Sequence, residues 1–324
     1  MKAIPGISTV AAIIIAMLFY GCSPQPAVNT TVEIARNDAI PAAAVKMNPQ
    51  TDSLPPQLHS PDYENPIPLG SGVNTAGGED SAFITPDGNT LYFFFTPDVK
   101  IPAEKQLIDG VTGIWVSYSN SSSWSPAQRV VLQDKGEVAL DGCAFVQGDT
   151  FWFGSARRGN FRGVDIWTAK NINGKWADWK NAGQKLNADY EVGELHISPD
   201  GREMYFHSPR KGGKGGYDIW KTSLVNGDWQ QPVNVEELNT PDNEGWPFIA
   251  SDGGELWFTR WYKGSPGVFR ARRSAGGWST PELILSQFAA EPSLDNYGNL
   301  YFTHHFFKDG KMIEADIYVS RPHK

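Results

Sequence analysis

The chain is 324 residues long, 40% hydrophobic, 12% aromatic and 20% charged, with 36 acidic against 28 basic side chains and a formal net charge of −8. That balance argues against nucleic acid or an anionic lipid surface as a partner, because either would call for a basic face.

The N-terminus reads as an address. Lys2 supplies a small positive region, an apolar stretch of about 13 residues runs from Ile7 to Phe19, and Gly21 precedes Cys22. Residues 1–21 resemble a bacterial lipoprotein signal peptide, with Phe19-Tyr20-Gly21-Cys22 in the place of the lipobox and Phe19 where leucine is usual. The resemblance implies lipidation of Cys22 and anchoring in the cell envelope, at the outer membrane or periplasmic face. The apolar stretch is short of the ~20 residues that span a bilayer. Residues 22–60, rich in Pro, Ala, Asn, Thr and Gln and without a period, are expected to form a flexible tether. With Cys22 committed to lipid, Cys143 has no intramolecular disulfide partner and reads as a small core residue.

From 61 to 324 one domain is expected, because the chain repeats itself five times. The copies end at Phe93, Phe153, Phe206, Phe258 and Phe302, at intervals of 60, 53, 52 and 44 residues, which suits a unit of four short strands. An apolar inner strand such as Ala82-Phe83-Ile84 leads into a Pro-Asp-Gly or Ser-Asp-Gly turn and a second strand carrying the aromatic pair. Third strands start at Gly113, Val164, Tyr217, Gly267 and Ala315, and outer strands near Trp124, Trp176 to Trp179, Trp229 and Trp278. The fifth unit has no outer strand after it, whereas Asn65 to Gly70 followed by Val73-Asn74-Thr75 parallels Trp229 to Asn234 followed by Leu238-Asn239-Thr240. The spacing therefore predicts an all-β, five-bladed β-propeller with four-stranded blades, closed by an N-terminal outer strand that removes an exposed edge.

The Ser/Thr-Pro-Asp-Gly turns, Gly216-Tyr217-Asp218-Ile219-Trp220, and Trp229-x-x-Pro232-Val233-Asn234 together resemble the TolB-like propeller repeats of bacterial envelope proteins. The resemblance covers about residues 66–324, with repeats 2 and 5 departing at Gln147-Gly148-Asp149 and at Asp295 to Gly298. It implies the fold and leaves the function open, since propellers host unrelated activities.

In each antiparallel hairpin the start of the first strand meets the end of the second, so one face should collect Glu79, Asp80, Asp141, Glu194, Glu244 and Glu291 with Arg157, His207, Arg210, Arg260, His304 and His305. In this alignment Glu244 matches Glu79, Asp141 matches Asp80, and Glu194 and Glu291 match Ser81. With Trp246 and His196, these groups are expected to share one shallow pocket for a glycan, a peptide or an envelope protein. The same carboxylates could instead be repeat residues held in ion pairs, and Asp165, Asp218 and Asp316 read as structural. A second reading is a glycoside hydrolase that resembles five-bladed arabinanases in architecture, with Asp80, Asp141 and Glu194 as its carboxylates. Adjacent His304 and His305 point to opposite strand faces and cannot ligate one metal there. Lys211 to Gly216 is Gly-rich but precedes no helix, so no phosphate site is read there. No metal or cofactor is expected.

Overall fold

The computed structural model describes residues 35–120 and 123–323; the leader and Cys22 lie outside them. The structure is all-β, and its strands group into five antiparallel meanders. The first runs Gly78–Ile84, Thr90–Thr96, Gly113–Tyr118 and Gln128–Arg129. The second runs Ala139–Gln147, Thr150–Arg157, Asp165–Ile172 and Lys175–Asn181. The third runs Leu195–Ile197, Glu203–Ser208, Asp218–Val225 and Val233–Asn234. The fourth runs Glu244–Ile249, Glu255–Tyr262, Ser265–Ser274 and Glu282–Ser286. The fifth runs Ala289–Leu294, Leu300–Lys308 and Lys311–Ser320, and its fourth strand is Ile67–Pro68, with Ile67 opposite Val319 and Pro68 opposite Tyr318.

The aromatic pair explains why these hairpins stack. Phe93, Phe153, Phe206, Phe258 and Phe302 are all buried, and each contributes roughly 1.5–3 kcal/mol of apolar burial. A polar clamp repeats beside them. The amide of Asn74 donates to Ile317 O and accepts from Ile317 N, Asn187 does the same to Ile166, and Asn239 to Ile219. Each asparagine therefore supplies the acceptor that the third strand's N–H lacks at that point and a second donor to its carbonyl, which also accepts from Leu69 N, Ala182 N or Val235 N; that is the physical role of the Asn in Val73-Asn74-Thr75 and Leu238-Asn239-Thr240. Asp165 and Asp218 cap the loops before their strands by accepting from Phe161 N and Lys214 N. Around Asp218 the Gly-rich loop is a packing requirement, since a Cβ at Gly213 would collide with that carboxylate.

Residues 35–60 differ from the expected tether. Gln57–Leu58 adds a further strand to the edge of Glu282–Ser286. Upstream of it, Arg36 is buried against the first repeat, Lys46 pairs with Glu314 and Asp316, and Asp52 meets His304 at 2.8 Å. Four residues after the strand, Asp62 pairs with Arg270 at 2.6 Å. This arm crosses repeats 1, 5 and 4. A polar composition hid it, because its anchors are single ions seated in sites built by distant repeats.

Candidate functional site

The pairing register places Glu79, Asp141, Glu244 and Ala289 at one position, opposite Phe95, Ser155, Arg260 and His304, and Val192 stands there in the third repeat. Asp141 therefore matches Glu79, and its alignment with Asp80 is corrected. Two residues on, Ser81, Cys143, Trp246 and Glu291 sit at positive φ of 50°, 56°, 52° and 59°, each inside a β-bulge. Left-handed backbone costs roughly 1–2 kcal/mol per non-glycine residue. Here it re-aims those side chains, together with Glu194, towards the axis, as bulges commonly do.

The earlier position is a cage. Arg157 donates to Asp141 at 2.6 Å and to Leu132 O at 2.8 Å, with its guanidinium 4.8 Å above the Trp167 ring. Arg260 donates to Glu244 at 2.8 Å and to Leu238 O, 4.7 Å above Phe269. In the first repeat the arginine comes from the arm: Arg36 donates to Val73 O at 2.6 Å, lies 3.4 Å from Glu79, and stacks over Phe93, Phe95 and Trp115. Burial raises Glu79 to about 7 even against the pull of Arg36. Glu79, Asp141, Glu244, Arg157 and Arg260 are thus structural ion pairs and do not reach a common pocket. His304 is likewise buried, bound to Asp52.

At the axis, three consecutive residues from each inner strand enclose a cavity of about 50 Å³, room for one or two waters. Its outer ring is Ser81, Cys143, Glu194, Trp246 and Glu291, and its floor is closed by Phe83, Phe145, His196 and Phe248. His196 packs 4.3 Å from both Phe145 and Phe248, and burial drives it down to about 3, so it is a neutral plug and no ligand-facing group. Glu291 accepts from Ser81 N at 2.8 Å and Thr303 Oγ1 at 2.9 Å; burial and then the Asp80 charge push its carboxyl well up. Burial works against the Asp80 anion, but Glu291, His305 and the Ser81 N–H outweigh it and hold Asp80 below the usual carboxylate range. The two carboxyls therefore keep a proton on the Glu291 side. Glu194, raised to about 7 by burial, accepts from the Cys143 thiol at 3.0 Å, and burial followed by the Glu194 charge raises that thiol in turn. The trio Asp80, Asp141 and Glu194 is not assembled: Asp141 is committed to Arg157, and Glu291 stands at the axis in its stead. Periodicity alone could not have found this, because the bulges decide which carboxylates face inward.

Beside this cavity, between repeats 2 and 3, a second pocket of about 170 Å³ opens on the same face. Val164, Ile166, Val192 and Pro209 give it apolar walls, Tyr217 and Trp246 add aromatic ones, and Arg162, Glu191, Glu194 and His207 supply polar groups. His207, lowered to about 4 by burial and then Arg162, is neutral and accepts from Trp246 N at 3.3 Å. The Trp246 indole N–H and Arg162 Nε have no hydrogen-bond partner among the described residues. Of the residues expected at a site, this pocket gathers Glu194, His207 and Trp246. It also contains Arg162, which the sequence did not single out, and Tyr217, which it marked only as a repeat residue. Arg210, which follows the lining residue Pro209 in the chain, is stacked 4.8 Å from the Trp220 ring.

No family model and no curated protein matches the chain. Among solved structures, an endo-arabinase from Bacteroides thetaiotaomicron is similar at 14% identity with a TM-score of 0.50, covering 79% of this chain and 97% of that one. TolB from Acinetobacter baumannii is similar at 14% identity and 0.46, covering 78% of this chain, which spans only 56% of that one. A xylan beta-1,4-xylosidase from Bacillus Halodurans C-125 gives 16% and 0.49, with 78% and 54% covered. At these identities the likeness to the endo-arabinase shows a propeller fold and nothing of the activity.

Proposed function

We propose that this protein is a non-enzymatic glycan-binding module, a five-bladed propeller closed by Ile67–Pro68 and carried on the bacterial cell envelope by a lipid on Cys22. The observation that carries the reading is the pocket between repeats 2 and 3. It joins the flat faces of Tyr217 and Trp246 to a neutral histidine, an arginine and two carboxyls, the combination that stacks on a sugar ring and fixes its hydroxyls. Closure is supported by two hydrogen bonds from the first inner strand to the fifth repeat, Ser81 N to Glu291 and Ile84 N to Ser293, beside the pairing of Ile67 with Val319. Binding is tested by isothermal titration against a panel of soluble plant and microbial polysaccharides. At least one should bind, and Trp246→Ala and Tyr217→Ala should each weaken it about tenfold; a panel without any binder would overturn the reading.

One observation favours a hydrolase instead, the Glu194 carboxyl in the pocket wall, raised to about 7 by burial. A glycosidase needs a second carboxylate ~5–9.5 Å across a substrate-sized space. Asp80 and Glu291 are buried, Glu291 lines a cavity that has no room for a sugar ring, and the pocket's other carboxyl, Glu191, stands three residues before Glu194 in the same segment. Mass spectrometry of the incubated polysaccharides should accordingly show no new oligosaccharides; products that disappear with Glu194→Gln would establish the enzyme.

A further inference from the structure

The geometry points to an anionic sugar, a uronic acid residue, as the ligand of this pocket, with Arg162 and Arg210 receiving its carboxylate. This rests on the glycan-binding reading and narrows it. The argument starts from the cage of the other repeats, where an arginine stacked on aromatics is neutralised by Glu79, Asp141 or Glu244. In the third repeat the arginine is kept and stacked in the same way, over Trp220 at 4.8 Å and Tyr190 at 5.6 Å. The acid is replaced by Val192, an apolar residue that lines the pocket. Arg210 has no carboxylate partner among the described residues, and its Nη1 is buried without an acceptor. Arg162, in the pocket wall, donates to Val192 O at 3.0 Å and lies 3.9 Å from Asp165, while its Nε is also without an acceptor. Two guanidinium groups with unfilled donors thus flank the place where three other repeats carry a carboxylate, and a ligand carboxylate supplies the missing charge and acceptors. Lys211 and Lys214 are exposed on the loop that follows Arg210.

A sugar fits better than an acidic peptide because the backbone around the pocket offers no free ladder. Gly193 N is bonded to His207 O, Glu244 N to Tyr217 O, and Trp261 N to Asn243 O, so an extended peptide would find no edge to pair with. What the pocket offers is side-chain groups and aromatic faces.

The test is titration of the protein with oligogalacturonate, with neutral galactan and with poly-glutamate, at about 50 and 300 mM salt. Oligogalacturonate should bind at least about tenfold more tightly than galactan and weaken several-fold at the higher salt. Arg162→Gln and Arg210→Gln should each remove most of that preference, weakening oligogalacturonate binding far more than galactan binding. The salt series reads the same charge without a variant, should either substitution unfold the chain. Equal, salt-insensitive binding of both glycans would overturn the uronate assignment and leave the glycan reading standing. Preference for poly-glutamate would overturn it in favour of an acidic peptide, and binding of none of the three would overturn it together with glycan recognition of this class.

Discussion

Replacing Arg36 with alanine isolates the contribution of the arm, because the residue lies outside the repeats yet completes a cage inside the first. The substitution removes a bond to Val73 O, one to Gly72 O at 3.2 Å, and stacking over three aromatic rings. Those losses together amount to about 2 kcal/mol at any pH. Glu79 adds a pH-dependent part. Its carboxyl is raised from 4.5 to about 7, so its contribution is fully present below 4.5 and is lost as pH rises through about 7, a gap worth about 3 kcal/mol in the wild type. Arg36 acts to lower that value, so without it the carboxyl moves higher and the anion is left buried and unpaired. Urea unfolding followed by tryptophan fluorescence should show Arg36→Ala destabilised by about 2 kcal/mol at pH 5 and about 4 kcal/mol at pH 8. Glu79→Gln in the Arg36→Ala background should recover most of the difference between the two pH values. An equal loss at pH 5 and pH 8 would refute the coupling, and a loss below about 0.5 kcal/mol at both would refute the docking of the arm.

Three further outcomes follow from the same geometry. Deleting residues 61–72 removes Ile67–Pro68 and Tyr63, whose ring packs edge-on against Trp257 at 5.9 Å, and should lower the melting temperature by about 10 °C or more; an unchanged melt would exclude ring closure by this strand. Asn239→Ala removes the acceptor of the buried Ile219 N–H and one of two donors to its carbonyl, which keeps Val235 N, and should cost about 1–3 kcal/mol, with faster hydrogen exchange at the Ile219 amide than in the wild type; unaltered exchange there would show that the clamp is dispensable. Cys143, its thiol raised by burial and then by the Glu194 charge, should be alkylated by iodoacetamide at pH 8 about tenfold more slowly than free cysteine, and faster in Glu194→Gln; alkylation at the free-cysteine rate would contradict the buried Cys143–Glu194 contact.

What the sequence made legible was whatever recurs. The five phenylalanines, the tight turns and the Asp-Ile-Trp strands announced their spacing, and the match between residues 65–75 and 229–240 pointed to the pairing of Ile67 with Val319. Direction was harder to read. A bulge inserts one residue and turns the side-chain alternation over, so Asp141 and Cys143, two positions apart on one strand, go to a cage and to the axis respectively. The arm was missed for another reason. Arg36, Lys46 and Asp52 carry no periodic signal, since each answers a site assembled by a different repeat.

Departures from a repeat carry more functional information than the repeat itself. Where a cage acid is absent, the chain can replace it in cis, in trans or not at all. In the fifth repeat, where Ala289 stands at the acid position, the arm brings Asp52 to His304 in trans. In the third, where Val192 stands there, neither the arm nor a neighbouring strand supplies an acid to Arg210 among the described residues. A buried donor left unsatisfied costs about 1–3 kcal/mol, so an arginine stacked in place without its carboxylate is a cost that folding alone gives no reason to keep. The stacking on Trp220 offsets part of it, and the rest is recovered only when an acceptor arrives from outside. The same repeat lines the open pocket with Val192, Glu194 and His207, and Arg210 directly follows Pro209 of that pocket's wall.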